Sequence, residues 1–179
     1  MNDCLLLIDL QNDYFPGGKI ELVRIEDAAV NAKLLLSRFR NSESLVIHIQ
    51  HVSARPGATF FLPGTDGAKI NQIVAPAEGE TVVVKNFPNS FRGTHLLELL
   101  EKEKVGNLFI CGAMSHMCID ATARAAFDFG FNCTVIEDAC ATRDLIFRNE
   151  IIKSADVHAS FMAALSSPYA SVVRTKQIT

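Results

Sequence analysis

Cys118, Asp9 and Lys85 are the side chains of this sequence best suited to covalent chemistry. Cys118 opens a stretch with helical periodicity. A thiol in a first helical turn feels the positive end of the helix dipole, which favours thiolate. A nearby Lys85 ammonium would favour it further. Asp9 would accept the thiol proton and orient Lys85, forming an acid–base pair around an activated nucleophile. Backbone N–H groups between Gly112 and Cys118 are available to an oxyanion. Taken singly, the same residues have plainer readings: a small core thiol, a carboxylate capping a turn, a solvated lysine at a strand end.

Whether these groups meet depends on the elements that carry them. Leu5–Ile8 is a short continuous apolar run of the kind found in a strand buried on both faces, and Asp9 closes it. Apolar residues recur at helical spacing from about Glu26 to Phe39. Leu45–Ile49 reads as a second strand that delivers Gln50 and His51. Residues 51–80 are rich in Pro and Gly and read as a long loop, with a short helix near Lys69–Ile73. A loop of that length inside a compact domain is usually functional or disordered. Phe60 and Phe61 argue for an ordered, packed one.

Thr81–Val84 reads as a third strand ended by Lys85, and Thr94 as the cap of a helix reaching Glu103. Leu108–Cys111 is a fourth strand ended by Gly112, followed by a helix from about His116 to Phe129 that Gly130 stops. Cys133–Ile136 is a fifth strand delivering Glu137 and Asp138. A helix from about Phe147 to Leu165 and a sixth strand at Ser171–Arg174 complete the order. This alternation predicts an α/β fold: a three-layer α-β-α domain over residues 1–179, with a six-stranded, mainly parallel sheet. In such sheets ligands bind beyond the carboxyl ends of the strands, where Asp9, His51, Lys85 and Cys118 stand.

The chain has 179 residues, 17 Lys and Arg against 20 Asp and Glu, and a net charge of -3. That balance argues against a nucleic-acid binder, which needs a basic stripe. No apolar run approaches the about 20 residues that span a bilayer. The start, Met1 to Cys4, has no basic segment of a signal peptide, so a cytoplasmic, reducing location with free thiols is expected. Of the five cysteines, Cys4, Cys111 and Cys133 fall in strands and read as structural, while Cys140 falls in a loop. His48 reads as a sheet residue. Arg24, Arg38 and Arg40 read as scattered surface. His51 and His116 stand near the cleft but lack a clear carboxylate partner, a weak metal signal. Asn132-Cys133-Thr134 matches a glycosylation pattern inside a strand and is set aside. No phosphate-binding glycine motif occurs, so no nucleotide cofactor is expected.

The segments LLLIDLQNDYF, VVVKNFPNSFRGTHL and ICGAMSHMCIDATARAAFDFGFNCTVIEDACATRD resemble the isochorismatase-like cysteine hydrolases, the group of nicotinamidase and N-carbamoylsarcosine amidohydrolase. The likeness covers nearly the whole chain in order. It implies a six-stranded parallel sheet flanked by helices and an Asp9–Lys85–Cys118 triad. It also implies a non-proline cis peptide at Ala113–Met114, with the backbone N–H groups of Met114 and Cys118 as the oxyanion hole. The implied reaction is acyl transfer through a Cys118 thioester on a small amide-like substrate, with no cofactor. The metal-binding histidine positions of nicotinamidases fall here on His51, Ser53 and Phe60, so no metal is expected. Isochorismatases that cleave a vinyl ether usually lack the cysteine. Tyr14, His51, Phe60, Phe91 and Met117 are the candidate pocket wall. Relatives are commonly dimers or larger, so a homo-oligomer is expected. A rival reading makes Cys118 a redox-sensing thiol, with Cys140 as a possible resolving partner.

Overall fold

The computed structural model describes residues 2–178. Strand β1 (Asn2–Ile8) is followed by helix α1 (Ile25–Asn41), β2 (Leu45–His51), β3 (Thr81–Lys85), α2 (Leu96–Lys102) and β4 (Val105–Ala113). One turn of π-helix (Ser115–Ile119) leads into α3 (Asp120–Asp128), then β5 (Asn132–Ala141). A short hairpin of β6 (Leu145–Phe147) and β7 (Glu150–Ile152) precedes α4 (Ser154–Leu165) and β8 (Ser171–Val173).

Six strands form one sheet in the order β3-β2-β1-β4-β5-β8, and every neighbouring pair is parallel. The alternation of β1 side chains divides the core. Leu5 and Leu7 pack under α1 with Ala28, Ala32, Leu35 and Leu36. Leu6 and Ile8 face the other way, towards Leu96 and Leu100 of α2, Ala123 and Ala126 of α3, and Met162 and Leu165 of α4. All four β1 residues are buried, each contributing about 1.5–3 kcal/mol of transfer free energy. The three-layer α/β architecture is therefore as the strand–helix alternation predicted.

β1 sits between β2 and β4, so the chain winds outward in opposite directions from this pair. That reversal opens a crevice above the carboxyl ends of β1 and β4. Gly112 keeps the two strands close: a Cβ there would run into the Ile8 carbonyl oxygen, and its φ of 125° suits only glycine.

Four elements depart from the sequence reading. Residues 145–152 form a hairpin, with Arg148 and Asn149 both at positive φ in its turn, and α4 begins only at Ser154. β5 runs to Ala141, so Cys140 lies in a strand opposite Gly112 and not in a loop. The short helix expected near Lys69–Ile73 is replaced by two 3-10 turns, Asp66–Ala68 and Gln72–Val74. Thr94 lies one residue outside the expected cap position: α2 starts at Leu96, whose N–H donates to the Thr94 hydroxyl at 3.3 Å. No helix among the described residues is long and apolar enough to cross a membrane.

Candidate active site

Asp9, His51, Lys85 and Cys118 come from four different strand ends or turns and meet above the β1–β4 junction. Asp9 follows β1 at a φ of 51°, and its N–H donates to the Ile49 carbonyl of β2 at 3.1 Å. Gln11 locks the neighbouring strand end in place: its Oε1 accepts from the His51 N–H at 2.7 Å and its Nε2 donates to the His51 carbonyl at 2.8 Å. Lys85 ends β3 and turns its ammonium inward, 2.9 Å from Asp9 Oδ2, while donating to the Pro88 carbonyl at 2.8 Å. Both side chains of this ion pair are fully buried. Beyond that pair, the neighbours of the carboxylate are the Cys118 thiol and, 4.0 Å from Oδ2, His51 Nδ1, so Asp9 keeps acceptor capacity towards the thiol proton.

Ligand atoms of Asp9, His51 and Cys118 lie within 4.8 Å of one another. This donor set has the composition of a metal site, but the Lys85 ammonium already occupies the charge-compensating position beside Asp9 and opposes a cation there. The Ala113–Met114 peptide is cis. The π-helical turn that follows carries Cys118 in its fourth position, with the Met114 carbonyl accepting from both Met117 and Ile119.

The electrostatics correct one expectation. Burial pushes the Cys118 thiol well up, Asp9 adds to this, and Lys85 only partly offsets it. The helix-terminus argument for a free thiolate therefore loses to desolvation and a neighbouring carboxylate. For Lys85, burial works against the charged form, but the net direction is up and the ammonium is held, the Asp9 carboxylate being its chief support. Burial also lowers His51, with Lys85 lowering and Asp9 raising it, which keeps the imidazole neutral.

The candidate wall residues divide. Tyr14 is buried beside the centre, where both Cys118 and Asp9 act on its phenol. Its ring packs edge-on against Phe61 at 4.7 Å, and Phe61 lies 5.9 Å from the His51 ring. Phe61, not Phe60, thus joins Tyr14 to His51; Phe60 packs behind it at 5.1 Å. The choice is made by Asp13, whose Oδ2 accepts from the Phe61 N–H at 2.6 Å. Phe91 is drawn into the core, with Phe129 at 5.1 Å and Phe131 at 6.3 Å. Met117 is partly exposed. His116 binds the Thr142 hydroxyl at 2.6 Å. Arg40, read as surface, is exposed and clamps Glu80 through Nε and a second nitrogen at 2.7 Å each, beside the buried His48. Sequence reasoning missed Phe61, and also Arg143, whose positive field reaches both Tyr14 and His116.

The isochorismatase domain model matches residues 3–177. An uncharacterized isochorismatase family protein of Bacillus subtilis, YddQ, is 51% identical over 176 residues, covering 98% of each chain. A crystal structure of a putative isochorismatase hydrolase from Oleispira antarctica superposes with a TM-score of 0.95 at 49% identity, covering 99% of this chain and 95% of that one. Maleamate amidohydrolase of Pseudomonas putida is 26% identical over 183 residues, covering 94% of this chain and 81% of that enzyme.

Proposed function

This chain belongs to the isochorismatase family of hydrolases, and on that premise we propose that it is a cysteine amidohydrolase cleaving a C–N bond of a small amide-like molecule. The observation that carries the proposal is the convergence of Asp9, Lys85 and Cys118 in a buried, charge-compensated cluster. A relative named for maleamate amide hydrolysis supports the reaction class.

In the resting site the nucleophile is a neutral thiol. As the substrate carbonyl approaches, the Cys118 proton passes to Asp9 and the sulfur attacks the carbonyl carbon. Negative charge moves from carboxylate to sulfur within the field of the same Lys85 ammonium. The net charge of the cluster does not change, so the step avoids the cost of creating an ion in a desolvated site. The tetrahedral oxyanion is assigned to the backbone N–H groups of Met114 and Cys118. Asp9 then gives the proton to the leaving amine, and water hydrolyses the thioester. Tyr14, Phe61 and His51 form the wall against which a small, partly apolar substrate sits. Vinyl-ether hydrolysis and nicotinamide hydrolysis are the alternatives within the family. The redox-sensor reading loses support because burial raises both Cys118 and Cys140, whereas a sensor needs an accessible, low-pKa thiol.

A homo-oligomer belongs to the same proposal. Ile146, Phe147 and Ile151 are 76%, 62% and 61% exposed on a two-stranded hairpin with open edges, a surface suited to pairing with a second copy. Sedimentation velocity tests it: a monomer at all concentrations removes that part.

The activity is tested by screening small amides, ureas and carbamoyl compounds for ammonia release, with Cys118→Ala as control. Release that survives in the control, or none from any compound, sinks the amidohydrolase reading.

A further inference from the structure

The turn that carries Cys118 is held from behind by a chain of polar groups that the acyl-transfer scheme does not use. Ser115, the first residue of the π-helical turn, is fully buried. Its hydroxyl lies 2.8 Å from His158 Nδ1 on α4 and 3.3 Å from the Ala141 carbonyl at the end of β5. On the far side of the ring, His158 Nε2 faces Glu137 Oε2 at 3.5 Å. Glu137 is in turn fixed by Arg174, whose Nε donates to Oε1 at 2.7 Å. Four side chains from the turn, α4, β5 and the segment after β8 therefore stand in line as one strut, hydrogen-bonded at its two ends and with a looser 3.5 Å approach between His158 and Glu137.

The Ser115 hydroxyl and His158 Nδ1 form one hydrogen bond at 2.8 Å whose donor is set by the ring tautomer. A serine with its side chain sealed in the core has no rotamer freedom to satisfy itself elsewhere. Losing His158 would leave it with only the longer Ala141 contact. The turn has few other tethers: the His116–Thr142 bond and its own hydrogen bonds to the Met114 carbonyl. Met114 precedes Ser115 directly and Cys118 follows it by three residues, so the strut grips the segment between the two N–H groups assigned to the oxyanion.

We infer that Ser115 and His158, backed by Glu137 and Arg174, are positioning residues that fix the Met114–Cys118 turn for oxyanion stabilisation. This rests on the acyl-transfer reading above. None of the four touches the reacting atoms in this role; they act through the backbone of the turn. Catalytic hydrogen bonds lose their effect steeply with displacement, so slackening this turn should cost about 10- to 100-fold in acylation.

The position is open to mutation. His158 borders a cavity of about 230 Å³ that opens past the exposed Val23 and Arg24, so truncation there enlarges an existing space and leaves the packed core intact. The test compares two reactions of Cys118 in the full-length protein. Acylation by p-nitrophenyl acetate passes through an oxyanion; alkylation by iodoacetamide does not. For His158→Ala and Ser115→Ala, the ratio of acylation to alkylation rate should fall about 10- to 100-fold. His158→Asn, which keeps a polar group at the Nδ1 position, and Ser115→Thr, which keeps the hydroxyl, should recover most of it. A ratio within twofold of wild type in both alanine variants overturns the inference and leaves the amidohydrolase reading standing. Equal losses in both reactions, unrelieved by the conservative variants, reduce the strut to general structural support and also overturn it. Absence of Cys118-dependent acylation in the wild-type protein overturns the acyl-transfer reading itself, and this inference with it.

Discussion

Replacing Lys85 by methionine gives the sharpest test of how the site is held together. Lys85 and Asp9 have no exposed side-chain surface and stand 2.9 Å apart. At an effective dielectric of about 20 their attraction is about 6 kcal/mol, most of it offset by the cost of removing both ions from water. The pair should therefore contribute little net stability, while loss of one partner should be expensive. In Lys85→Met the buried Asp9 carboxylate keeps only the Cys118 thiol as a neutral neighbour and no cation in place of the ammonium. The expected cost is about 3–5 kcal/mol, a large share of the about 5–15 kcal/mol that holds a domain of this size. Asp9→Asn should cost a similar amount by stranding the ammonium. The double variant Asp9→Asn/Lys85→Met should be at least as stable as either single one, a coupling of about 3 kcal/mol or more. Urea unfolding followed by circular dichroism at pH 7.5 measures all four proteins. Ammonia release should be lost in all three variants. Singles that each cost under about 1 kcal/mol and simply add in the double would refute the buried-pair reasoning, since an isolated buried charge cannot be that cheap. A stable, inactive double variant would show that the pair is kept for chemistry.

Three further outcomes rest on other parts of the fold. Burial raises Cys4, Cys111, Cys118 and Cys140, the last to about 12. For raised groups the stabilisation is complete below the unfolded thiol pKa of about 8.5 and is lost as pH climbs through the folded values. Each thiol should cost about 1 kcal/mol between about pH 8.5 and 9.5, so the urea midpoint should fall steeply there; a flat midpoint would contradict it. Asp13→Ala removes the acceptor for the Phe61 N–H at 2.6 Å and the Lys19 N–H at 3.3 Å, with an expected cost of about 1–3 kcal/mol, faster proteolysis in residues 52–68 and a raised KM. Unchanged cleavage would show that Phe61 is held by packing alone. Gly112→Ala meets the Ile8 carbonyl at a φ of 125°, so it should lower the thermal midpoint by far more than an ordinary surface change; a near-wild-type melt would refute the close β1–β4 approach.

Much of this was legible in the chain because apolar runs mark where strands stop. Leu5–Ile8 ends at Asp9 and Thr81–Val84 at Lys85, so parallel order alone places both groups on one edge of the sheet. The hairpin at Leu145–Ile152 was not legible. The sequence reading places Ile151 and Ile152 in a helix from about Phe147 that continues into α4, whereas they pair with Ile146 and Leu145. The deciding feature is the Arg148-Asn149 turn at positive φ, only weakly marked by its residue types. Phe60 and Phe61 are adjacent, and which one faces the site depends on a 48-residue contact from Asp13 that no local pattern encodes. The strut behind Ser115 is of the same kind: its four members are spread from residue 115 to residue 174 and have no common motif.

The thiol is the place where local reasoning gave the wrong sign for a physical reason. Proximity to a helix start and to a lysine both favour thiolate, and both effects are real, yet the buried site and the Asp9 carboxylate outweigh them. A nucleophile held as a neutral thiol is not thereby disarmed. Free ionisation would place a second anion beside Asp9 with one ammonium to serve both. In the proposed acyl transfer, passing the proton to Asp9 keeps one anion and one cation throughout, so no new ion is created in the buried site. The same burial that raises the thiol also excludes water from the reacting pair and strengthens the pull of Lys85 on whichever atom carries the charge. In the proposed reaction, burial, ion pair and proton transfer are then parts of one arrangement, in which the Cys118 thiol gives its proton to Asp9 as an electrophile takes up the sulfur's electrons.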